Sequence, residues 1–250
     1  MRLDGNTVLI TGGATGIGLA LAKAFIQGGS EVIVCARTEN HLKEAKKILP
    51  SLHTRKANVA NETERQVLYE WAVAKFPKIN VLVNNAGIQR MIDFRKGNED
   101  LFKHRTEDGE DEIEINLRAL VYMTALFTPH LLRQKEAAII NVSSGLAFMP
   151  MAPLPVYCAT KAAVHSFSIT LRQQLEGTPV KVFELIPPMV DTNLDKGARK
   201  ARGQTYFGMS PADFIVPAMK SFANDEYEIR VKDPNLPAHW GDHPAKNRTP

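Results

Sequence analysis

The feature that most constrains this chain is an alternation of two patterns. Short runs of aliphatic and β-branched residues recur along it, and most are followed by a stretch whose apolar positions have helical spacing. Thr7-Val8-Leu9-Ile10-Thr11 is one such run, apolar without an exposed face, as a strand covered on both sides must be. A glycine-rich turn follows, then a helical pattern from Ile17 to Gln27 that Gly28-Gly29 ends. Glu31 to Cys35 reads as the second strand. Further strands are expected at about Leu52 to Ala57, Ile79 to Val83, Ala138 to Val142, Val180 to Ile186 and Glu228 to Val231. Helices are expected at about Glu39 to Leu49, Glu62 to Phe76, Ile113 to Arg133 and Val156 to Glu176.

Strand alternating with helix means parallel strands joined by helical crossovers, with helices on both faces of the sheet. Right-handed crossovers then give the doubly wound α/β arrangement, a Rossmann fold with a central, mostly parallel seven-stranded sheet flanked by helices. A chain of 250 residues fits this as one domain over residues 1–232. Two stretches break the rhythm. Ile88 to Asp111 is long and charged, and its acidic end through Glu112 reads as a solvated loop or helix start. Residues 187–212, rich in proline, glycine and basic side chains, form a substrate-side segment after the sixth strand. Residues 233–250 are polar with several prolines and are expected to be an extended tail.

Composition narrows the function classes. Apolar residues make up 44% of the chain, which excludes global disorder. The formal net charge of +4 is spread among acids rather than gathered in a stripe, so nucleic acid is not an expected partner. No run is long and apolar enough for a membrane span, and the N-terminal residues show no signal-peptide pattern. Cys35 and Cys158 have no metal-ligand spacing, so no metal is expected, and a reduced, cytoplasmic protein is.

The turn Thr11-Gly12-Gly13-Ala14-Thr15-Gly16-Ile17-Gly18 lies between the first strand and the first helix. Glycines there let the backbone approach a ligand, and the helix N-terminus offers free N–H groups to a pyrophosphate. An ordinary tight turn is the alternative; the strand-turn-helix context favours a dinucleotide. At the end of the second strand, where an acid commonly binds the adenosine ribose, the sequence reads Cys35-Ala36-Arg37-Thr38. A guanidinium suits a 2′-phosphate and a carboxylate would repel one. Arg37, with a hydroxyl from Thr38, therefore points to NADP rather than NAD.

Tyr157 and Lys161 stand one turn apart on one helix face. A free phenol has a pKa of about 10, and a neighbouring ammonium favours its ionised form. Such a phenol can pass a proton to a carbonyl oxygen as hydride reaches the carbon. The pair follows Asn141-Val142-Ser143-Ser144-Gly145, where a serine can hydrogen-bond the same oxygen.

With these residues in order, the sequence resembles the short-chain dehydrogenase/reductase family over residues 5 to about 230. The ordered set is Thr11-Gly12-x-x-x-Gly16-x-Gly18, Asn84-Asn85-Ala86-Gly87, Asn116, Ser144 and Tyr157-x-x-x-Lys161. Stretches such as Asn84 to Gln89 and Ala125 to Pro129 look like DltE-type bacterial oxidoreductases within it. In the family the serine commonly lies thirteen positions before the tyrosine, which selects Ser144 and leaves Ser143 a supporting role. The resemblance implies a catalytic set of Asn116, Ser144, Tyr157 and Lys161, with Asn116 holding a water in a proton relay. It implies cofactor contacts at Gly12, Thr15, Gly16, Ile17, Gly18, Arg37, Thr38, Asn58, Val59, Asn85, Ala86, Gly87, Tyr157, Lys161, Val190 and Thr192. It also implies a homodimer or homotetramer, with the helices at about 113–133 and 156–176 in a four-helix interface.

Two positions depart from the family pattern. Neutral Asn58 stands where an aspartate is common, and Pro188 where a glycine is usual, which stiffens the backbone beside the nicotinamide. Phe148 to Pro155, between Ser144 and Tyr157, is almost wholly apolar, so a hydrophobic carbonyl or alcohol is the expected substrate. Met189, Phe207 and Met209 are candidates to complete its pocket. A packed loop is the bland alternative for 148–155, and a structural histidine is the expectation for His165. The rival function is a non-catalytic NADP-binding regulator or scaffold on the same fold.

Overall fold

The computed structural model describes residues 1–103, 110–194, 200, 203 and 208–234. Seven strands form one sheet: β1 (Thr7–Thr11), β2 (Glu31–Ala36), β3 (His53–Lys56), β4 (Val81–Asn84), β5 (Ala137–Val142), β6 (Val180–Ile186) and β7 (Glu228–Arg230). Their order is β3-β2-β1-β4-β5-β6-β7, and every pairing is parallel. The chain winds outward from β1 to β3 and then returns to place β4 on the other side of β1. That reversal opens a crevice at the carboxyl ends of β1 and β4, where ligands of doubly wound sheets bind.

The helices are α1 (Gly16–Gln27), α2 (Glu39–Ile48), α3 (Glu62–Lys75), α4 (Asn98–Lys103), α5 (Ala119–Leu131), α6 (Pro155–Gln174) and α7 (Pro211–Ala223). Side chains alternate across a strand, so each strand feeds two cores. Val8, Ile10, Val32, Val34, Ile140 and Phe183 face the layer of α1, α2 and α7. Leu9, Ile33, Leu82, Ile139 and Val182 face the layer of α3, α5 and α6. This double burial is why the central strands are nearly continuous apolar runs, whereas the edge strand β3 (His53–Lys56) is polar and only partly covered.

Three elements differ from the sequence expectation, one of them α4, which forms inside the 88–111 stretch expected to be irregular. The helix expected at 113–133 is interrupted: Glu114–Arg118 forms a wider π turn, in which the Ala119 N–H bonds back to the Glu114 carbonyl, before α5 begins. Helix α7 is not in the sequence reading. Its Ser210 cap accepts a hydrogen bond from the Asp213 N–H at 3.0 Å, and Phe214, Ala218 and Phe222 are buried one turn apart. The tail expected over 233–250 lies, from residue 235 on, outside the described residues.

Candidate active site

The glycine turn is bound tightly to the end of β4. The Asn85 side-chain amide donates to the carbonyls of Thr11 and Gly12, at 2.9 and 3.1 Å. The Thr11 hydroxyl accepts from the backbone N–H groups of Asn85 and Ala86, at 3.0 and 3.1 Å. This packing leaves no room for a side chain at Gly12 or Gly18. A Cβ at Gly12, where φ is +62°, would lie 2.9 Å from the Ala86 Cα, and one at Gly18 would lie 2.5 Å from the Gly12 carbonyl oxygen. Thr15, at the N-cap of α1, makes no side-chain cap bond, and the first turn carries no acid. Gly16 and Ile17 follow at that N-terminus. A bare helix end above a cradle of glycines fits a pyrophosphate.

Arg37 and Asn58 lie side by side because β2 and β3 are paired to their ends, with Ala36 opposite Lys56. The Asn58 side chain accepts from the Ala60 N–H at 3.1 Å and donates to Glu110 Oε1 at 2.5 Å. Arg37 Nη1 lies 3.8 Å from Glu110 Oε2. A carboxylate thus sits between the two residues expected at the adenosine end. Thr38 is exposed at the N-cap of α2 without a side-chain cap bond. Val59 is buried and shares a small cavity wall with Thr11 and Ala86.

Tyr157 and Lys161 are both buried on the inner face of α6. The Lys161 ammonium donates to the Val142 carbonyl at the end of β5, at 2.8 Å, and lies 5.7 Å from the Tyr157 ring centroid. Burial pulls its pKa down to about 8, against the upward pull of Glu184. Ser144, two residues beyond Val142, accepts from the Leu146 N–H at 3.1 Å. A hydroxyl oxygen that accepts retains its own proton for donation. Leu146 packs in one apolar cluster with Leu154, Tyr157, Cys158 and Met91, beside the phenol.

Asn116 sits at the centre of the π turn and does not bond back to its own helix turn. Its Oδ1 accepts from the Ile88 N–H at 2.8 Å, while its Nδ2 donates to the Ile88 carbonyl at 2.9 Å and to the Thr160 hydroxyl at 3.2 Å. A Cβ on Gly87 would stand 3.2 Å from Asn116 Oδ1 and 3.7 Å from Lys161 Nζ. The fold therefore gathers Gly87, Asn116, Thr160 and Lys161 into one contact group.

Three acids around the site escaped the sequence reading. Glu112 was expected in a solvated segment, yet it is 2% exposed. Its Oε1 accepts from the Arg90 N–H at 2.9 Å, and its Oε2 has no hydrogen-bond partner among the described residues. Burial pushes its pKa up to about 7, partly offset by that N–H. Glu184, fully buried on β6, accepts from Ser143 and lies 2.7 Å from His165 Nδ1. Ser143 and His165 thus share a partner behind the site. The third acid is Glu110, between Arg37 and Asn58. No local pattern around any of the three marks burial; only the tertiary pairing does.

Val190 bridges to Met209, and Thr192 lies against Gly16, its Cγ2 3.1 Å from where a Cβ would stand. Met209 packs onto the core beneath α7. Phe207 lies outside the described residues. Within the apolar 148–155 stretch, Phe148 turns away to pack edge-to-face against His165 and beneath Arg230, whereas Leu154 packs by Tyr157.

Residues 6–203 match the short chain dehydrogenase family model, and the chain belongs to that family of oxidoreductases. It is 54% identical over 229 residues to the uncharacterized oxidoreductase DltE of Bacillus subtilis (strain 168), covering 92% of this chain and 89% of that one. It is 36% identical over 184 residues to the NADP-dependent 3-hydroxy acid dehydrogenase YdfG of Escherichia coli (strain K12), covering 73% and 72% of the two chains. The closed form of serine dehydrogenase complexed with NADP⁺ superimposes with a TM-score of 0.74 at 30% identity, covering 93% of this chain and 90% of that one. A short-chain dehydrogenase/reductase from Burkholderia phymatum, in complex with NAD, has the same fold, with a TM-score of 0.80 at 21% identity and coverage of 92% and 89%. Solved structures similar to this chain thus include complexes with NAD and with NADP. Among the described residues no helix is long and apolar enough to cross a membrane.

Proposed function

We propose that this protein is an NADP(H)-dependent oxidoreductase that interconverts a carbonyl and an alcohol on a hydrophobic substrate. One observation carries the reading: Tyr157 and Lys161 lie on the buried face of α6, with the Lys161 ammonium bound to the end of β5 two residues before Ser144. NADPH, when bound, supplies the hydride. Tyr157 donates its proton to the carbonyl oxygen, and Ser144 donates a hydrogen bond to the same oxygen. Lys161 supports the phenolate that remains, and Asn116 would hold the water that, through Lys161 and the ribose hydroxyl, returns its proton. Gly12, Thr15, Gly16, Ile17 and Gly18 cradle the pyrophosphate. Asn85, Ala86 and Gly87 support that turn and the ribose, and Val190 and Thr192 border the nicotinamide.

Support for NADP comes from Arg37, with Thr38 beside it and no acid at the end of β2, and from the NADP-dependent relative at 36% identity. Asn58 and Val59 close the adenine side. Support for an apolar substrate comes from Leu146, Leu154 and Met91 around Tyr157. Assembly as a homodimer or homotetramer through α5 and α6, and residence in the cytoplasm, complete the reading. A panel of hydrophobic aldehydes and ketones, followed by NADPH absorbance, tests it. Turnover with a lower KM for NADPH than for NADH is expected. Equal KM values would remove the NADP assignment, and absence of turnover across the panel would favour a non-catalytic NADP-binding protein.

A further inference from the structure

The Arg37–Glu110–Asn58 arrangement bears on cofactor choice, and it rests on the proposed NADP reading. Arg37 and Asn58 follow the ends of paired strands, so their spacing is fixed by the sheet. Asn58 is held further by its own bonds, its backbone N–H donating to Glu64 at 2.8 Å and its Oδ1 accepting from the Ala60 N–H at 3.1 Å. Into this fixed pair Glu110 projects one carboxylate oxygen to each partner, 3.8 Å from the guanidinium and 2.5 Å from the amide. Its side chain is only 14% exposed, so the carboxylate is drawn in rather than left in solvent. Two oxygens of one anion on a guanidinium and an amide N–H are the contacts a phosphate makes.

We infer that Glu110 is a specificity-determining residue: its carboxylate holds the anion position between Arg37 and Asn58 and competes there with a cofactor's 2′-phosphate. A 2′-phosphate brings negative charge against the carboxylate and must share or take the guanidinium. A ribose 2′-hydroxyl brings no charge and can donate to the carboxylate. Glu110 therefore weakens the preference that Arg37 confers, and its neutral replacement sharpens that preference.

The test uses the full chain and two probes that lack nicotinamide and differ only in the 2′-phosphate, 2′,5′-ADP and 5′-AMP, titrated calorimetrically. Glu110→Gln and Glu110→Ala are each expected to bind 2′,5′-ADP roughly fivefold more tightly, the scale of one partly exposed ion pair, with 5′-AMP changed by less than about twofold. In an Arg37→Ala background the same Glu110 substitutions are expected to tighten 2′,5′-ADP by less than in wild type, because only the direct repulsion between carboxylate and phosphate is then relieved. An unchanged ratio of the two affinities, equal tightening of both probes, or a gain as large without Arg37 as with it would overturn the inference. Failure of the NADP reading is a different result: wild type would then bind the two probes alike, whatever Glu110→Gln does.

Discussion

Asn116 grips the backbone of Ile88 from both sides, accepting from its N–H at 2.8 Å and donating to its carbonyl at 2.9 Å. One turn earlier on the same helical segment, Glu112 accepts from the Arg90 N–H at 2.9 Å. Helix side chains here supply bonds that a neighbouring strand would supply in a sheet, and they hold the extended 88–90 segment beside Gly87 and Lys161. Asn116→Ala leaves two buried backbone groups at Ile88 without partners. A loss of ~3 kcal/mol in unfolding free energy is expected. Urea denaturation measures it, and a loss below ~1 kcal/mol would mean that water replaces the amide.

Glu112 makes stability depend on pH. Its carboxyl is raised from 4.5 to about 7 by burial, so the folded state holds the proton more tightly than the unfolded chain. The resulting stabilisation is fully present below pH 4.5 and is lost as pH rises through about 7. Glu112→Gln removes this dependence and keeps an acceptor for Arg90. Relative to wild type, the variant is expected to gain up to ~3 kcal/mol at pH above 7, shrinking towards zero in acid. Unfolding curves at the two extremes check this, and parallel pH dependences would contradict it.

Glu184 tunes Lys161 at a distance. Lys161 sits at about 8 because burial outweighs the attraction of Glu184. A lowered amine contributes stability that is present above 10.5 and lost as pH falls through about 8. Its charge runs the other way: the ammonium that supports Tyr157 is present below about 8. Carbonyl reduction is therefore expected to decline as pH rises through that value. Glu184→Gln keeps polar partners for Ser143 and His165 but removes the charge, so the declining limb moves to lower pH. Profiles of kcat against pH read the shift, and an unmoved limb would separate Glu184 from Lys161.

The glycine turn is fixed by the Asn85 amide and the Thr11 hydroxyl, with the backbone packed closely around it. A Cβ at Gly18 would stand 2.5 Å from the Gly12 carbonyl oxygen and 2.6 Å from the Asn85 amide nitrogen. Gly18→Ala must displace the turn from β4, which costs ~1–3 kcal/mol in a close-packed site. NADPH binding, read by fluorescence titration, is expected to weaken at least about tenfold. Wild-type affinity would show that the cofactor does not depend on this cradle.

The sheet was legible because its central strands are buried on both faces, and their apolar runs announce that. The pair on α6 was legible because positions one turn apart share a face. Helix α7 was also written in the sequence, as the Ser210 cap, Pro211, Asp213 and the apolar positions Phe214, Ala218 and Phe222; the proline- and glycine-rich segment before it obscured the start. The π turn was not legible, since one extra residue in a helical turn leaves no periodic trace over so few positions. Nor were Glu110, Glu112 and Glu184. Each is an ordinary acid in its local context, and only strands and loops distant in sequence bring it to Arg37, Arg90 or His165.

The central proposal is that Tyr157 carries the proton in carbonyl reduction. Tyr157→Phe removes one hydroxyl and leaves the ring packed among Leu146, Leu154 and Met91. The direct measurement is NADPH-dependent turnover of the best carbonyl from the panel, taken beside NADPH affinity for the same preparation. The predicted result is wild-type affinity with turnover reduced at least about a hundredfold. Turnover within about tenfold of wild type would contradict the account and move the acid to another residue.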